Sequence, residues 1–460
     1  MQFYCANIAN YIRYLELFLY FCRIKQNQLN IQVMVASRIK HVSIRKIWGV
    51  KNISTDFHEH INIFIGSNGS SKTTFLNLIE AALICDINTF ANIEFESIDI
   101  VFSNSCINKL IIKKKHTEDF PVVTYIFDDG SEYEIICSEI LFRSYNRAKY
   151  RDMYIDLKNK LSEIIKFSWL SINRDNISLS EIERSRDYMD KIRNMVDLKI
   201  QELTKNLLVY QLQLESEANK DSMKFKEEVL SLMLYNETFD NYNKDNIKRF
   251  ENTDILSMQR DLFNAFKKLG IVKDKSEFIK KHIQKIREVI SRLSNSTSIS
   301  FEDVFILSLI NRTISIIEIS KEHEANTTNI FAPMESFWKC LESFMPNKKF
   351  LFNKIGNSDL VVELTEGNSE KQSIRLSSLS SGEKQLFILL SEALLQKKSA
   401  HLFIADEPEL SLHIEWQRRI LSTLLELNPN AQIIVATHSP EIAGNFPQNI
   451  TNMKKITSYE

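Results

Sequence analysis

The sequence predicts an α/β chain in which a mixed sheet is interrupted by a helical insertion, and three observations predict it. Alternating apolar residues near both ends of the chain read as strands. A central stretch repeats its apolar residues every three or four positions, which is helical spacing. Glycine accounts for only 9 and proline for 7 of the 460 residues, well below the usual usage of about 7% and 5%, so turns are sparse and helices long.

Strand alternation begins at Ser37 to Ile47, with Ile39, Val42 and Ile44, and resumes at Ile61, Ile63 and Ile65, where it runs into a glycine-containing loop. A helix is expected from Thr74 to about Leu83. Residues 95 to 140 carry β-rich runs, among them Ile98 to Phe102 and Val122 to Phe127, with Asp128-Asp129-Gly130 as a hairpin turn. They read as the antiparallel half of the sheet. Then the period changes. Ile192, Val196, Ile200, Leu203, Leu207, Tyr210 and Leu214 form one helical seam, and Ile279, Ile283, Ile286, Ile290 and Leu293 a second. With the polar stretch Asn236 to Asp254 as a tip, the two seams make either an antiparallel helical hairpin, a short coiled coil, or two amphipathic core helices. The expected division is a lobe over 34–175, a helical insertion over 176–345 and a second lobe over 346–460.

Composition narrows the class. A chain of 460 residues buries a sizeable core, and its length suggests more than one domain or one domain with a large insertion. A formal net charge of -1 exerts no global pull on nucleic acid. The six cysteines, Cys5, Cys22, Cys85, Cys106, Cys137 and Cys340, are scattered with no CxxC pair, which points to a reducing cytoplasm. Tyr14 to Cys22 is apolar but interrupted by Glu16 and flanked by Arg13 and Arg23. A bilayer span needs about 20 apolar residues, so no membrane partner is expected. Met34 is taken as the natural start, with residues 1–33 a disordered or misassigned extension.

Four motifs carry chemistry. The first, Gly66-Ser67-Asn68-Gly69-Ser70-Ser71-Lys72-Thr73, followed by Thr74, lies between a strand and a helix, the context of a phosphate-binding loop. Backbone N–H groups would cradle phosphates, Lys72 would reach the β- and γ-phosphates of ATP, and the Thr73 hydroxyl would hold Mg²⁺. Ser71 stands where a second glycine is usual, and serine lacks glycine's freedom at positive φ, so slow hydrolysis is expected. The second motif is the apolar run Leu402 to Ala405 ending in Asp406-Glu407-Pro408. Asp406 is read as the Mg²⁺ ligand and Glu407 as the group that polarises the attacking water. Taken alone, acids and proline also simply start helices.

The third motif, Leu379-Ser380-Ser381-Gly382-Glu383-Lys384-Gln385, opens a helix expected from Gln385 to Leu395. Its small residues allow close approach to phosphate, and Ser380 with Glu383 also spells an ordinary capping box. In the fourth, the buried run Ile433 to Thr437 presents His438, placed to sense a γ-phosphate. Order and context decide the matter, since each motif alone is weak.

Together these residues resemble the Walker A, signature, Walker B and switch-histidine motifs of ABC-type ATPase heads, the Rad50/SMC-like class. The resemblance covers residues 37–90 and 373–445. It implies ATP and Mg²⁺ as cofactors, and a site completed when two heads meet, with Ser380, Ser381, Gly382 and Glu383 acting in trans. No zinc-hook CxxC is present, and the run Glu409-Leu410-Ser411-Leu412-His413 is similar to that of overcoming-lysogenisation and related antiphage ATPases. The chain is most similar to the AriA family of the PARIS system, and next to the PtuA family of Septu. That implies a homo-oligomer of head-to-head dimers up to a hexamer, a separate Toprim nuclease of AriB type or an HNH nuclease, and a phage-encoded trigger protein. Asn173 and Arg174, after Trp169-Leu170, mark the neighbourhood of a Q-loop. Competing readings are a DNA-repair or DNA-processing ATPase, suggested by Lys113-Lys114-Lys115 and by Lys280, Lys281, Lys285 and Arg287, and a nearly inactive ATP-bound scaffold.

Overall fold

In the first strand the apolar residues Ile39, Val42, Ile44 and Ile47 are spaced by three, two and three, yet all are buried. Strict alternation would put some of them in solvent. Register shifts between Ile39 and His41, and between Ile44 and Ile47, absorb the extra residues and return each side chain to the core face. The computed structural model describes residues 38–103, 107–116, 120–138, 147–170, 188–235, 254–270, 276–295, 300–352, 360–364 and 373–459.

Two compact units divide the chain. The first runs to Gln201 and takes up again at Ser343–Lys348 and Leu364–Glu460. It holds two sheets. Strands β1 (Arg38–Ile47), β2 (Lys51–Asp56), β4 (Ser97–Ser103), β5 (Lys109–His116), β6 (Pro121–Phe127), β7 (Glu132–Ile136) and β15 (Thr457–Tyr459) form an antiparallel sheet in the order β15-β2-β1-β4-β5-β6-β7. Strands β3 (Ile61–Ile65), β8 (Phe167–Leu170), β12 (His401–Asp406), β13 (Ala431–Thr437) and β14 (Ile450–Asn452) form a parallel one in the order β14-β3-β13-β12-β8. The expected mixture of strand directions is thus sorted into two sheets. Every residue of β13 is buried, as parallel strands covered on both faces require. Gln432, inside β13, stitches the sheets together: its Oε1 accepts from Ile39 N and its Nε2 donates to Ile39 O, both at 2.8 Å.

Helix α1 (Lys72–Ile84) buries Phe75, Leu76, Leu78, Ile79, Ala81, Ala82 and Leu83. Phe75 meets Phe64 of β3 edge-on at 5.3 Å, while the Ala82 carbonyl accepts from the buried Tyr125 hydroxyl of β6 at 3.1 Å. One apolar helix therefore serves both sheets. Helices α2 (Ile87–Asn92) and α3 (Arg147–Ile164) pack beside it. The three-lysine run of β5 is not a continuous basic face, because strand alternation turns Lys114 inward. Its Nζ donates to Phe90 O at 2.6 Å and Ile93 O at 2.8 Å.

The second unit, Glu202–Glu342 with Lys349–Glu363, is mainly helical. Helix α4 (Tyr188–Ser231) enters it with Leu203, Leu207, Tyr210 and Leu214 buried. Helices α5 (Ile255–Lys268), α6 (Ser276–Asn295) and α7 (Phe301–Phe344) follow. Among the described residues the second seam packs against α5 and α7. Ile279, Ile283 and Ile286 of α6 pack with Met258 and Leu262 of α5 and with Leu307, Ile310 and Ile317 of α7. The partner of α4 is α7, running antiparallel: His323 bonds Asp221 and stacks on Phe225 at 4.8 Å, and Arg312 Nε donates to Leu232 O at 2.7 Å. Trp338 packs on Phe350 of β9 (Lys348–Phe352), which pairs with β10 (Leu360–Leu364). The division between the units falls after Gln201, within α4.

The remaining elements are β11 (Ser373–Arg375), α8 (Ser381–Leu395), α9 (Ile414–Leu427), α10 (Pro440–Ala443) and α11 (Met453–Ile456). Among the described residues no helix is long and apolar enough to cross a membrane. The proposed extension 1–33 lies outside the described residues. Since Phe75 is fully buried where α1 meets both sheets, Phe75→Ala should destabilise the chain by about 3–5 kcal/mol, read from the shift in its urea unfolding midpoint.

Candidate nucleotide-binding site

Strand β3 ends at Ile65 and α1 starts at Lys72, two residues before the expected Thr74, which leaves Gly66–Ser71 as the connecting loop. A Cβ on Gly66 would stand 2.5 Å from Ser70 Oγ, so the loop closes this tightly only over glycine. Gly69 and Ser71 both take left-handed backbone, at φ 78° and 67°. Glycine does so freely, whereas serine gives up about 1 kcal/mol. Ser71 occupies the N-cap of α1 without capping it through its side chain; its Oγ instead accepts from Lys51 Nζ at 3.0 Å. The first-turn N–H groups at Lys72, Thr73 and Thr74 are thereby left to an anion.

Parallel pairing brings the other motifs to the same edge. Ile65 of β3 is in register with Thr437 of β13, and Ala436 with Asp406 of β12. Lys72 is buried, and its Nζ donates to Gly66 O at 2.8 Å, to Ser67 O at 3.5 Å and to His438 Nε2 at 2.7 Å. His438 Nε2 in turn lies 3.9 Å from Glu407 Oε1. Burial pulls the Lys72 ammonium below its ordinary pKa, and the carboxylates of Glu407, Asp406 and Glu409 work against that fall. Glu407 itself sits at φ 50°, held by a bond from its N–H to Ala436 O at 2.8 Å. A cavity of about 540 Å³ adjoins the loop, with Gly66, Ser67, His438, Asn452 and Lys454 in its lining. That is the size range of small-molecule sites, about 300–1,000 Å³.

The Ser380–Glu383 segment is built differently. Ser380 caps α8, which begins at Ser381 and not at Gln385, and the reciprocal bond from Ser380 N to Glu383 Oε2 is 2.9 Å long. Lys348 Nζ adds a 2.6 Å ion pair to Glu383 Oε1. Burial tends to raise the Glu383 carboxyl, but Lys348 and the Ser380 N–H outweigh it, and its pKa falls below the ordinary value. A Cβ on Gly382 would meet Ser411 O at 2.2 Å, so glycine here lets the helix touch the chain beyond Glu407. Among the described residues no hydrogen bond or ion pair joins Ser380–Glu383 to Gly66–Thr74. Asn173 and Arg174 lie outside the described residues.

Sequence reasoning missed Glu409 as a site residue, treating it as one letter of a run. Its Oε1 accepts from Thr437 Oγ1 at 2.6 Å, His438 N at 2.9 Å and Ser439 N at 3.2 Å. No local pattern signals this, because the donors stand 28 to 30 residues away. Of the cysteines, Cys85, Cys137 and Cys340 are buried free thiols; burial pushes Cys85 up to about 12, which keeps it an inert thiol.

A parallel sheet whose carboxyl edge gathers a glycine-bearing loop, a buried lysine, paired acids and a histidine defines a P-loop ATPase domain. The model of the AAA ATPase domain family matches residues 38–443, and the chain belongs to that family. It is 23% identical over 437 residues to the Retron Ec83 probable ATPase of Escherichia coli, covering 91% of this chain and 71% of that one. Among solved structures it is similar to the Smc head domain with an extended coiled coil bound to the C-terminal domain of ScpA, derived from Pyrococcus furiosus. That likeness has a TM-score of 0.39 and 15% identity, over 92% of this chain and 96% of the other. It is also similar to the Smc head domain with a coiled coil and joint derived from Pyrococcus yayanosii, with a TM-score of 0.37 and 14% identity over 90% and 95% of the two chains.

Two predictions follow from this geometry. Ser71→Gly should relieve about 1 kcal/mol of left-handed strain but lose the Lys51 bond, worth about as much, so the net change in stability should stay within about 1 kcal/mol, measured by chemical denaturation. The stabilising effect of Glu383 is present above the unfolded carboxyl pKa of about 4.3 and is lost as pH falls through its lower folded value. Lys348→Ala should therefore lower Tm near neutral pH and leave it closer to that of the parent chain in acid.

Proposed function

We propose that this chain binds ATP with Mg²⁺ in the Gly66–Thr74 loop and hydrolyses it, as the ATPase subunit of an antiphage defence complex. The observation that carries the hydrolytic reading is the convergence of Lys72, Glu407 and His438 at one sheet edge, within 2.7 and 3.9 Å of one another in sequence Lys72–His438–Glu407. Lys72 exchanges its carbonyl partners for β- and γ-phosphate oxygens. Glu407 orients and polarises the attacking water, and His438 faces the γ-phosphate. The close-fitting Gly66 loop and the uncapped α1 suit a triphosphate. Thr73 and Asp406 would hold Mg²⁺, which neutralises charge on the transferring phosphoryl group. Among the described residues no cluster of three acidic, histidine or cysteine side chains could hold a metal ion.

The defence role is supported by the resemblance of the motifs to antiphage ATPases and by the likeness to an ATPase named for a retron. On this reading the chain is AriA-like. Two heads pair so that the Ser380–Glu383 segment of one faces the nucleotide of the other, and the assembly senses a phage protein and controls a separate nuclease, of Toprim type or else HNH. Affinity purification from the native host tests this: a co-purifying nuclease supports it, and recovery with DNA-processing factors alone opposes it.

A second reading, an ATP-bound scaffold with little turnover, is favoured by the strained Ser71. It requires Ser71→Gly to raise turnover. The DNA-processing reading loses weight because Lys114 is committed to backbone carbonyls inside the unit. DNA binding that collapses steeply with added salt would restore it.

Glu407→Gln should preserve ATP binding while lowering kcat by about 10²–10⁴-fold, and should increase the ATP-dependent dimer fraction in sedimentation velocity. Turnover unchanged from the parent chain would remove Glu407 from the reaction.

A further inference from the structure

We infer that Glu409 is a positioning residue: it braces the turn that carries His438 against the loop that carries Glu407, and so sets the geometry of the site's γ-phosphate side. The inference rests on the reading of Lys72, Glu407 and His438 given above. Three donors from consecutive residues, Thr437 Oγ1, His438 N and Ser439 N, converge on the single oxygen Glu409 Oε1. Backbone N–H groups that converge in this way form an anion nest. The brace has a second strut. Gln417 Nε2 donates to Glu409 O at 3.4 Å and to Leu412 O at 2.9 Å, while Gln417 Oε1 accepts from Ser439 Oγ at 2.7 Å. Gln417 of α9 therefore ties the two loops together.

Positioning, and not stability alone, is at stake because of how His438 is held. Its side chain is 39% exposed and that of Glu407 37%, so packing fixes neither. The ring nevertheless bridges Lys72 and Glu407. Beyond those two contacts its place is set by its backbone, whose N–H donates to Glu409. The turn has other supports that outlast the loss of Glu409: Ser439 N also donates to Thr437 Oγ1 at 2.9 Å, and Ser439 Oγ accepts from Glu441 N at 3.2 Å. Glu409→Ala thus leaves a folded turn with a displaced histidine. Glu409→Gln keeps a carbonyl oxygen for the three donors, and Oε2, which its amide replaces, is buried with no hydrogen-bond partner among the described residues.

The full chain is compared with Glu409→Ala, Glu409→Gln, His438→Ala and the Glu409→Ala/His438→Ala double variant. Readouts are ATP turnover, nucleotide affinity by a fluorescent ATP analogue, and amide hydrogen exchange over residues 437–439. Glu409→Ala should lower kcat by about 10- to 100-fold with KM and affinity held within about twofold. It should cost nothing further in the His438→Ala background, and Glu409→Gln should restore most of the turnover. Additive losses in the double variant, a change confined to KM, or a Glu409→Gln chain as impaired as Glu409→Ala would overturn the inference. Exchange separates this inference from the hydrolytic reading. Faster exchange in Glu409→Ala but not in Glu409→Gln supports the brace even where the parent chain hydrolyses no ATP, an outcome that defeats the hydrolytic reading alone. Unchanged exchange overturns the brace whatever the turnover.

Discussion

The parallel pairing of β3, β13 and β12 is the constraint on which the rest of the site depends. Backbone hydrogen bonds hold Ile65, Thr437 and Asp406 at the ends of adjacent strands, in a register that no side chain of the site needs to maintain. Both faces of these strands are covered, so polar groups emerge only where the strands stop. Chemistry is thereby concentrated on one edge. The apolar face of α1 locks the first of those strands to the antiparallel sheet, through Phe75 against Phe64 and the Tyr125 hydroxyl against the Ala81 and Ala82 carbonyls.

At that edge the opposing effects are balanced. Lys72 is buried, which disfavours its charge, and three carboxylates nearby restore part of what burial removes. The loop is held by one glycine without room for a Cβ and by a serine in backbone that glycine would adopt more cheaply. Ser71 gains in exchange a bond from Lys51, which ties the β1–β2 turn to the loop. The strain is local and the tether is not, so the serine couples the loop to the antiparallel sheet.

The Ser380–Glu383 segment is held by bonds within its own chain. Its capping box and the Lys348 ion pair account for Ser380 and Glu383 within the chain, and the contact with Ser411 accounts for Gly382. These intrachain bonds present a rigid helix start.

Much of the fold and of the site was legible in the sequence because the signals are local. Alternation marked β1 and β3, continuous apolar runs marked β12 and β13, and the residues of the phosphate loop are neighbours in the chain. The same locality explains the failures. The lysine run of β5 looked like one basic face until strand alternation buried Lys114, and the seam on α6 carried no mark of which helices it would meet, since apolar side chains do not encode a unique partner. Glu409 was invisible for a related reason: its donors become neighbours only when β12 and β13 pair. The amino-acid order by itself determined which segments are strands and helices and where the glycine loop, the paired acids and the histidine lie in the chain. Tertiary structure alone decided which of them meet, because contacts between distant segments arise from sheet register and from competition among buried surfaces.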